Sequence, residues 1–252
     1  MKYSLLLFPL FLFFSSCKET SITTLDRIEG KEISITDSIP ANDSISAFIE
    51  PYKQHIDEEM NAVLSYSVSD LKKTDGELNT ALGNMMADAV MELSNPIFQK
   101  RTGHSIDIVL LNHGGIRSSI NQGDVTTRSA YQLMPFENEV IVAEMTGQSL
   151  RKMIRFLIDS GTAHPVSGIE LVIGEDNSIK KALVQGTPIK DDGIYYVATN
   201  DYLFHGGDNM VFFSEALDST YIDYKIRNIL LDYFSRHDTI APVEDERFIR
   251  IK

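Results

Sequence analysis

The apolar positions of this chain fall into two regimes. Up to residue 93 they recur at helical spacing, and beyond residue 105 they gather into short runs broken by turn residues. Over residues 46–66 the series Ile45, Phe48, Ile49, Tyr52, Ile56, Met60, Val63 and Leu64 predicts one helix, with Pro51 either in its first turns or breaking it. A second helix is predicted by Leu82, Met85, Met86, Ala89, Val90 and Leu93, ending before Pro96. Residues 106–111 and 140–145 read as buried strands, 147–158 as a helix, and 169–173 with 179–185 as a hairpin across Glu175-Asp176-Asn177. Residues 194–199 follow as a strand, 221–234 as an amphipathic helix and 248–251 as a closing strand. This mixture predicts an α/β or α+β fold. There is no repeat of fixed period and no linker-like stretch after residue 45, so a single folded domain over residues 44–252 is expected.

The first 43 residues follow a different pattern. Lys2, an apolar run over residues 5–14 and the small residues Ser15 and Ser16 read as a signal peptide over 1–16, too short to span a bilayer as a finished helix. The small residues end in Cys17, the one cysteine of the chain. The arrangement resembles the lipobox of bacterial lipoproteins, although Phe14 stands where Leu is usual. That resemblance implies cleavage before Cys17, lipidation of its thiol, and residence in the cell envelope of a bacterium, anchored on the periplasmic or surface side of a membrane. An ordinary secretory signal with an incidental cysteine is the alternative. Residues 17–43, rich in Ser, Thr, Asp and Ile without period, read as a tether. A lone cysteine excludes an internal disulfide and every Cys-pair metal or redox motif.

Composition narrows the choices further. With 43% apolar residues over 252 positions the chain can bury a substantial core, which excludes wholesale disorder. Its formal net charge of −13 repels polyanions, so nucleic acid is not an expected partner. A small anion remains possible, because a few local arginines can hold it inside a negative protein.

Three segments place polar residues and paired glycines at the ends of predicted strands, where ligand sites in sheet proteins commonly lie. Asn112-His113-Gly114-Gly115-Ile116-Arg117 follows the first strand. Its glycines permit close backbone approach and Arg117 offers a planar fork for phosphate, although a tight turn with a surface arginine fits the same residues. In Met134-Pro135-Phe136-Glu137-Asn138 the proline fixes φ ahead of an aromatic, which could be a stacking ring or a core side chain after a turn. The third segment, residues 199–208, sets Tyr202 near Gly206, Gly207 and Asp208, an arrangement suited to a ring and a diol but also common in turns.

The order of these segments resembles the C-terminal domain of the 5′-nucleotidase family, which also includes UDP-sugar hydrolases and 2′,3′-cyclic phosphodiesterases. Leu82-Gly83-Asn84 precedes them, Gly123-Asp124-Val125-Thr126 and Thr146-Gly147 lie in register, and the match covers about residues 60 to 252. The resemblance implies a four-layer α/β/β/α fold that recognises substrate. It implies roles for Asn112 and Arg117 on the nucleoside and phosphate side, Phe136 and Tyr202 around the base, and Asp208 on the ribose hydroxyls. Gly114, Gly115, Asn138, Gly206 and Gly207 complete the implied substrate-binding set. The implied ligand is a nucleoside monophosphate or related nucleotide.

The catalytic half of the family pattern is missing from this chain. A dimetal phosphatase site needs several His, Asp and Asn ligands, whereas none of the six histidines lies in an Asp-x-His pair. No Gly-x-Ser-x-Gly elbow, P-loop or dinucleotide fingerprint replaces it. His113-Gly114-Gly115 resembles an oxyanion-hole motif but has no nucleophile elbow to serve. No cofactor is therefore expected in this chain, and divalent metals are expected on a separate metallophosphatase partner. Activity of the chain alone is not expected. The alternative is a cell-surface lipoprotein that binds nucleotides or nucleosides without catalysis. In many family members an Arg that supports the phosphate lies about seven residues before the glycine of Leu-Gly-Asn. Here that register holds Gly76, beside Glu77, with Lys72 and Lys73 the nearby cations.

Overall fold

The computed structural model describes residues 25–36 and 38–252. The signal peptide and Cys17 lie outside the described residues, as does the first part of the tether. The chain divides into two compact units, Met1–Phe48 and Ile49–Lys252. In the first, the described residues are almost all exposed and lack regular structure until helix α1 (Asp43–Met60) begins. Asn42 starts that helix by accepting the Ser44 and Ile45 N–H groups on its side-chain oxygen at 3.1 and 3.2 Å. No residue of α1 is buried, and Pro51 lies well inside it.

The second unit holds three sheets, and its elements follow the predicted α/β class. The central one has five strands in the order β10-β4-β9-β2-β5, comprising β2 (Ile108–Leu110), β4 (Glu139–Thr146), β5 (Val166–Ser167), β9 (Ile194–Asn200) and β10 (Asp218–Lys225). Alternate side chains of its strands leave on opposite faces. Val109, Val140, Val142 and Ala198 pack under helices α2 (Ala81–Thr102) and α6 (Ile226–Arg236). Ile108, Leu110, Met145 and Val197 join α4 (Gly147–Ser160) and the sheet containing β6 (Ile169–Gly174), β7 (Ile179–Val184), β8 (Thr187–Pro188) and β12 (Phe248–Ile251). The smallest sheet sets β1 (Val63–Ser67) between β3 (Gly123–Thr126) and β11 (Thr239–Ile240).

Three boundaries differ from the sequence expectation. Residues 63–67 continue no helix. They form β1, whose inward positions are Ser65 and Ser67, and each hydroxyl bonds a carbonyl, of His237 at 2.5 Å and of Ser69 at 2.8 Å. Small polar residues on the buried face hide the alternation that marks a strand. Pro96 does not end α2, because buried Leu93 and Phe98 anchor the helix on both sides of it until Gly103, at φ 81, caps it with a bond to the Gln99 carbonyl. Residues 218–225 are strand β10, and α6 starts only at Ile226. The spacing of Ile222, Ile226, Ile229, Leu230 and Phe234 reads as one helix, but a register shift between Tyr221 and Lys225, with Asp223 at φ 57, separates the two elements.

The Leu82-Gly83-Asn84 segment is structural. Thr80 caps α2 by accepting the Gly83 N–H. Buried Asn79 donates to the carbonyls of Asp245 and Phe248, both at 3.0 Å. Asn84 donates to Asn79 Oδ1 at 2.9 Å and to the Val243 carbonyl at 3.0 Å. The two amides thus tie the last strand's approach to α2. Asn84→Ala removes both bonds, leaving Asn79 Oδ1 with the Asp245 N–H at 3.2 Å and the Val243 carbonyl without its amide donor, and is expected to cost about 1–3 kcal/mol, read as a lower urea midpoint at unchanged m-value. An unchanged midpoint would show that this tie contributes nothing.

Candidate functional site

Strand pairing brings the three motif segments together. β2 runs parallel to β9, with Ile108 opposite Val197, so residues 112–117 and 200–208 leave the same edge of the sheet. β4 runs antiparallel to β9, with Val140 opposite Asn200, which puts the segment entering β4, Pro135 to Asn138, at that edge too. Between them lies a cavity of about 620 Å³, lined by Asn112, Gly114, Gly115, Arg117, Phe136, Asn138, Tyr202 and Asp208, together with Glu137 and Asp201.

Side-chain amides and carboxylates join the segments. Asn200, 1% exposed, caps the short helix α5 (Asp201–Phe204) by accepting the Leu203 N–H at 2.8 Å, and its amide reaches Asn112 Oδ1 at 3.4 Å. Asn112 in turn donates to Asp208 Oδ2 at 2.7 Å. Tyr202 completes the chain by donating its hydroxyl to Asp208 Oδ1 at 2.8 Å. An ionised carboxylate has about four acceptor positions on its two oxygens, so Asp208 retains capacity for further donors. Asn138 donates to Asp201 Oδ1 at 2.7 Å.

The backbone that carries Asp208 is strained. Gly206 has φ 90, while Asp208 and Asn209 have φ 50 and 61, values that cost a residue with a Cβ free energy unless its surroundings enforce them. Gly207 lies so close to Tyr202 that a Cβ there would meet ring atoms at 2.5 and 2.6 Å. Neither Gly206 nor Gly207 lines the main cavity. They line a neighbouring recess on the far side of Tyr202, of about 490 Å³.

The aromatic side chains are available for contact. Phe136 is 41% exposed and Tyr202 48%. The Arg117 guanidinium sits 5.9 Å from the Phe136 ring centroid and donates to the Gly114 carbonyl at 3.4 Å. Glu137 is ion-paired with Lys225 and Arg227. The Lys225 ammonium, followed by the Arg227 guanidinium, holds its carboxyl down to about 2.

Four side chains carry no site role in the sequence pattern: Glu137 and Asp201, which line the cavity, and Arg227 and His164, which bond the segments around it. Glu137 and Asp201 stand inside segments singled out by sequence, so adjacency was their signal; Arg227 and His164 lie outside those segments and carried none. His205 bonds the Tyr221 hydroxyl at 3.4 Å as a loop histidine. At Gly76 any Cβ would overlap the Asn79 carbonyl, and Glu77 is paired with Arg250, so this turn has no room for a phosphate-binding side chain. Lys73 comes closer, donating its ammonium to the Ile116 carbonyl at 3.1 Å, one residue from Arg117. Among the described residues no group of three or more His, Cys, Asp or Glu side chains is placed to hold a metal ion.

Residues 61–215 match the profile of the 5′-nucleotidase C-terminal domain. That is more than half of the chain, which belongs to this family. It is 29% identical over 231 residues to a cell wall protein of Listeria monocytogenes, covering 81% of this chain and 29% of the relative. A 5′-nucleotidase of Vibrio cholerae is 23% identical over 230 residues, covering 87% of this chain and 38% of the enzyme. Among solved structures, the 5′-nucleotidase precursor of Thermus thermophilus shares the fold with a TM-score of 0.68 at 20% identity, over 85% of this chain and 44% of that one. The chain thus spans less than half the length of these relatives.

His164, 8% exposed, supports the first segment from below. Its Nδ1 accepts the His113 N–H at 3.3 Å. Burial, and next the neighbouring His113, lower it from an ordinary 6.5 to about 4. Within that window the unfolded chain takes up a proton that the folded chain refuses, so stability falls as the pH drops from about 6.5 towards 4. His164→Asn should remove this contribution. Urea midpoints at about pH 7 and about pH 4.5 should then lie closer together than in the parent, and an equal gap would contradict the assignment.

Proposed function

We propose that the cavity binds a nucleoside monophosphate or a related nucleotide, and that this chain is the recognition part of a 5′-nucleotidase-type phosphohydrolase acting in nucleotide catabolism. The observation that carries this reading is the convergence of Phe136, Tyr202, Asp208 and Arg117 on one cavity of about 620 Å³, within the roughly 300–1,000 Å³ usual for small-molecule sites. The two rings offer faces for a base, and the Asn138 amide could read its edge. Asp208 accepts from ribose hydroxyls, and Arg117, with Lys73 behind it, faces the phosphate. Gly114 and Gly115 keep the backbone close, and Gly206 and Gly207 give the loop under Asp208 its path. Since no metal-ligand cluster accompanies this cavity among the described residues, bond cleavage would belong to a separate metallophosphatase, whose divalent metals would activate water and polarise the phosphoryl group. By the same reading the chain is exported and anchored in the cell envelope through a lipid on Cys17.

Removing either ring should cost about 1–3 kcal/mol of binding, or roughly five- to 150-fold in Kd. Calorimetric titration of adenosine 5′-monophosphate into Phe136→Ala and Tyr202→Ala tests this, and an unchanged affinity in both variants would contradict the site. The partner is tested separately. Phosphate release from the same nucleotide should be negligible with the chain alone, and faster with chain plus metallophosphatase and metal than with phosphatase alone. If nucleotide binds but no phosphatase is accelerated, the split-enzyme reading fails and a non-catalytic nucleotide-binding lipoprotein takes its place. For the anchor, Cys17→Ser should move the protein from the membrane fraction to the soluble fraction, and an unchanged distribution would exclude lipidation at this residue.

A further inference from the structure

Where β10 passes into α6, three consecutive residues grip the segment that carries Phe136. Lys225 pairs with the Glu137 carboxylate. Ile226 donates its N–H to the Asn138 carbonyl at 3.0 Å. Arg227 Nη1 lies 3.3 Å from the Pro135 carbonyl and 3.5 Å from the Phe136 carbonyl, and its Nη2 pairs with Glu137. The Arg227 guanidinium also stacks 4.3 Å from the ring centroid of Tyr131, on helix α3 (Thr127–Leu133), which feeds the same segment.

Helix stability does not account for this arginine. It is 7% exposed and stands second in α6, at the end where the helix dipole disfavours a cation. The first turn of α6 has no acidic residue, and no side chain caps it. Arg227 Nε is buried with no hydrogen-bond partner among the described residues. Burying a charge there is unfavourable unless its fork is used, and what the fork meets is the carbonyls of Pro135 and Phe136 and the carboxylate after them. A planar guanidinium can span such a set, whereas an ammonium is a point donor.

We propose that Arg227 is a positioning residue for nucleotide recognition: without lining the cavity, it fixes the backbone around Phe136 so that the ring stands ready to stack. This rests on the nucleotide reading above for its ligand. The clamp itself can be measured without one. By ordering the segment in advance it lowers the cost of binding, an effect that for one immobilised side chain corresponds to roughly two- to tenfold in affinity.

The chain has no Trp, so Phe136→Trp installs a single indole at the position of interest. In the full chain without ligand, time-resolved anisotropy of that indole should show restricted motion when Arg227 is present. Fast local motion should appear when Arg227→Met is added, with Arg227→Lys intermediate. Equal restriction with and without the arginine overturns the proposal. In chains retaining Phe136, Arg227→Met should weaken adenosine 5′-monophosphate roughly two- to tenfold. In the Phe136→Ala background the same change should add nothing. A loss of equal size in both backgrounds marks a general structural role and also overturns it. Should Arg227→Met fail to fold, Arg227→Lys is read by the same two measurements. If the parent binds no nucleotide, the functional reading fails, and the anisotropy still decides whether Arg227 holds the ring.

Discussion

The pairing of β9 with its two neighbours is the constraint from which the site follows. β2 and β9 are parallel, and β4 is antiparallel to β9. One strand thereby aligns the end of a second with the beginning of a third, and segments far apart in the chain meet side by side, as Asn112 and Asn200 do across 88 residues. The pairing is secured by burial. All three residues of β2 and the C-terminal half of β9 are buried, with alternate side chains committed to different cores on the two faces. A register slip of one residue would exchange those faces and expose or misplace every apolar group at once.

A polar network converts that strand alignment into a fixed site. Asn200, Asn112, Asp208 and Tyr202 form a continuous chain of hydrogen bonds from the buried end of β9 to the rim of the cavity. Such a network is favourable only when its members are satisfied, and it is what holds Asp208 at a positive φ that its backbone alone would resist. On the opposite wall, charge performs the equivalent task, with Glu137 shared between Lys225 and Arg227. One wall is thus fixed by neutral amides and one carboxylate, the other by ion pairing to a buried arginine. Between them the aromatic faces remain exposed.

Much of this was legible in the sequence because the motifs are local. Gly-Gly pairs, Pro135 before Phe136, and the helical stripe at Leu82 to Leu93 each announce a backbone requirement within a few residues. Eight of the ten expected binding residues line one cavity, while Gly206 and Gly207 lie behind Tyr202 and shape the loop. Illegible features were those that depend on partners distant in the chain. Ser65 and Ser67 face inward because carbonyls await them. Pro96 is tolerated because the helix around it is packed on both sides. Strand β10 is specified by β4 rather than by its own pattern. Arg227 reads as a surface cation of an amphipathic helix until its fork is seen against Pro135 and Phe136.

The most direct test of the central claim is a crystal structure of the chain soaked with adenosine 5′-monophosphate. The expected result is the base between Phe136 and Tyr202, the ribose hydroxyls donating to Asp208, and the phosphate beside Arg117. Nucleotide seated elsewhere, or this cavity left without it at saturating concentration, would contradict the account.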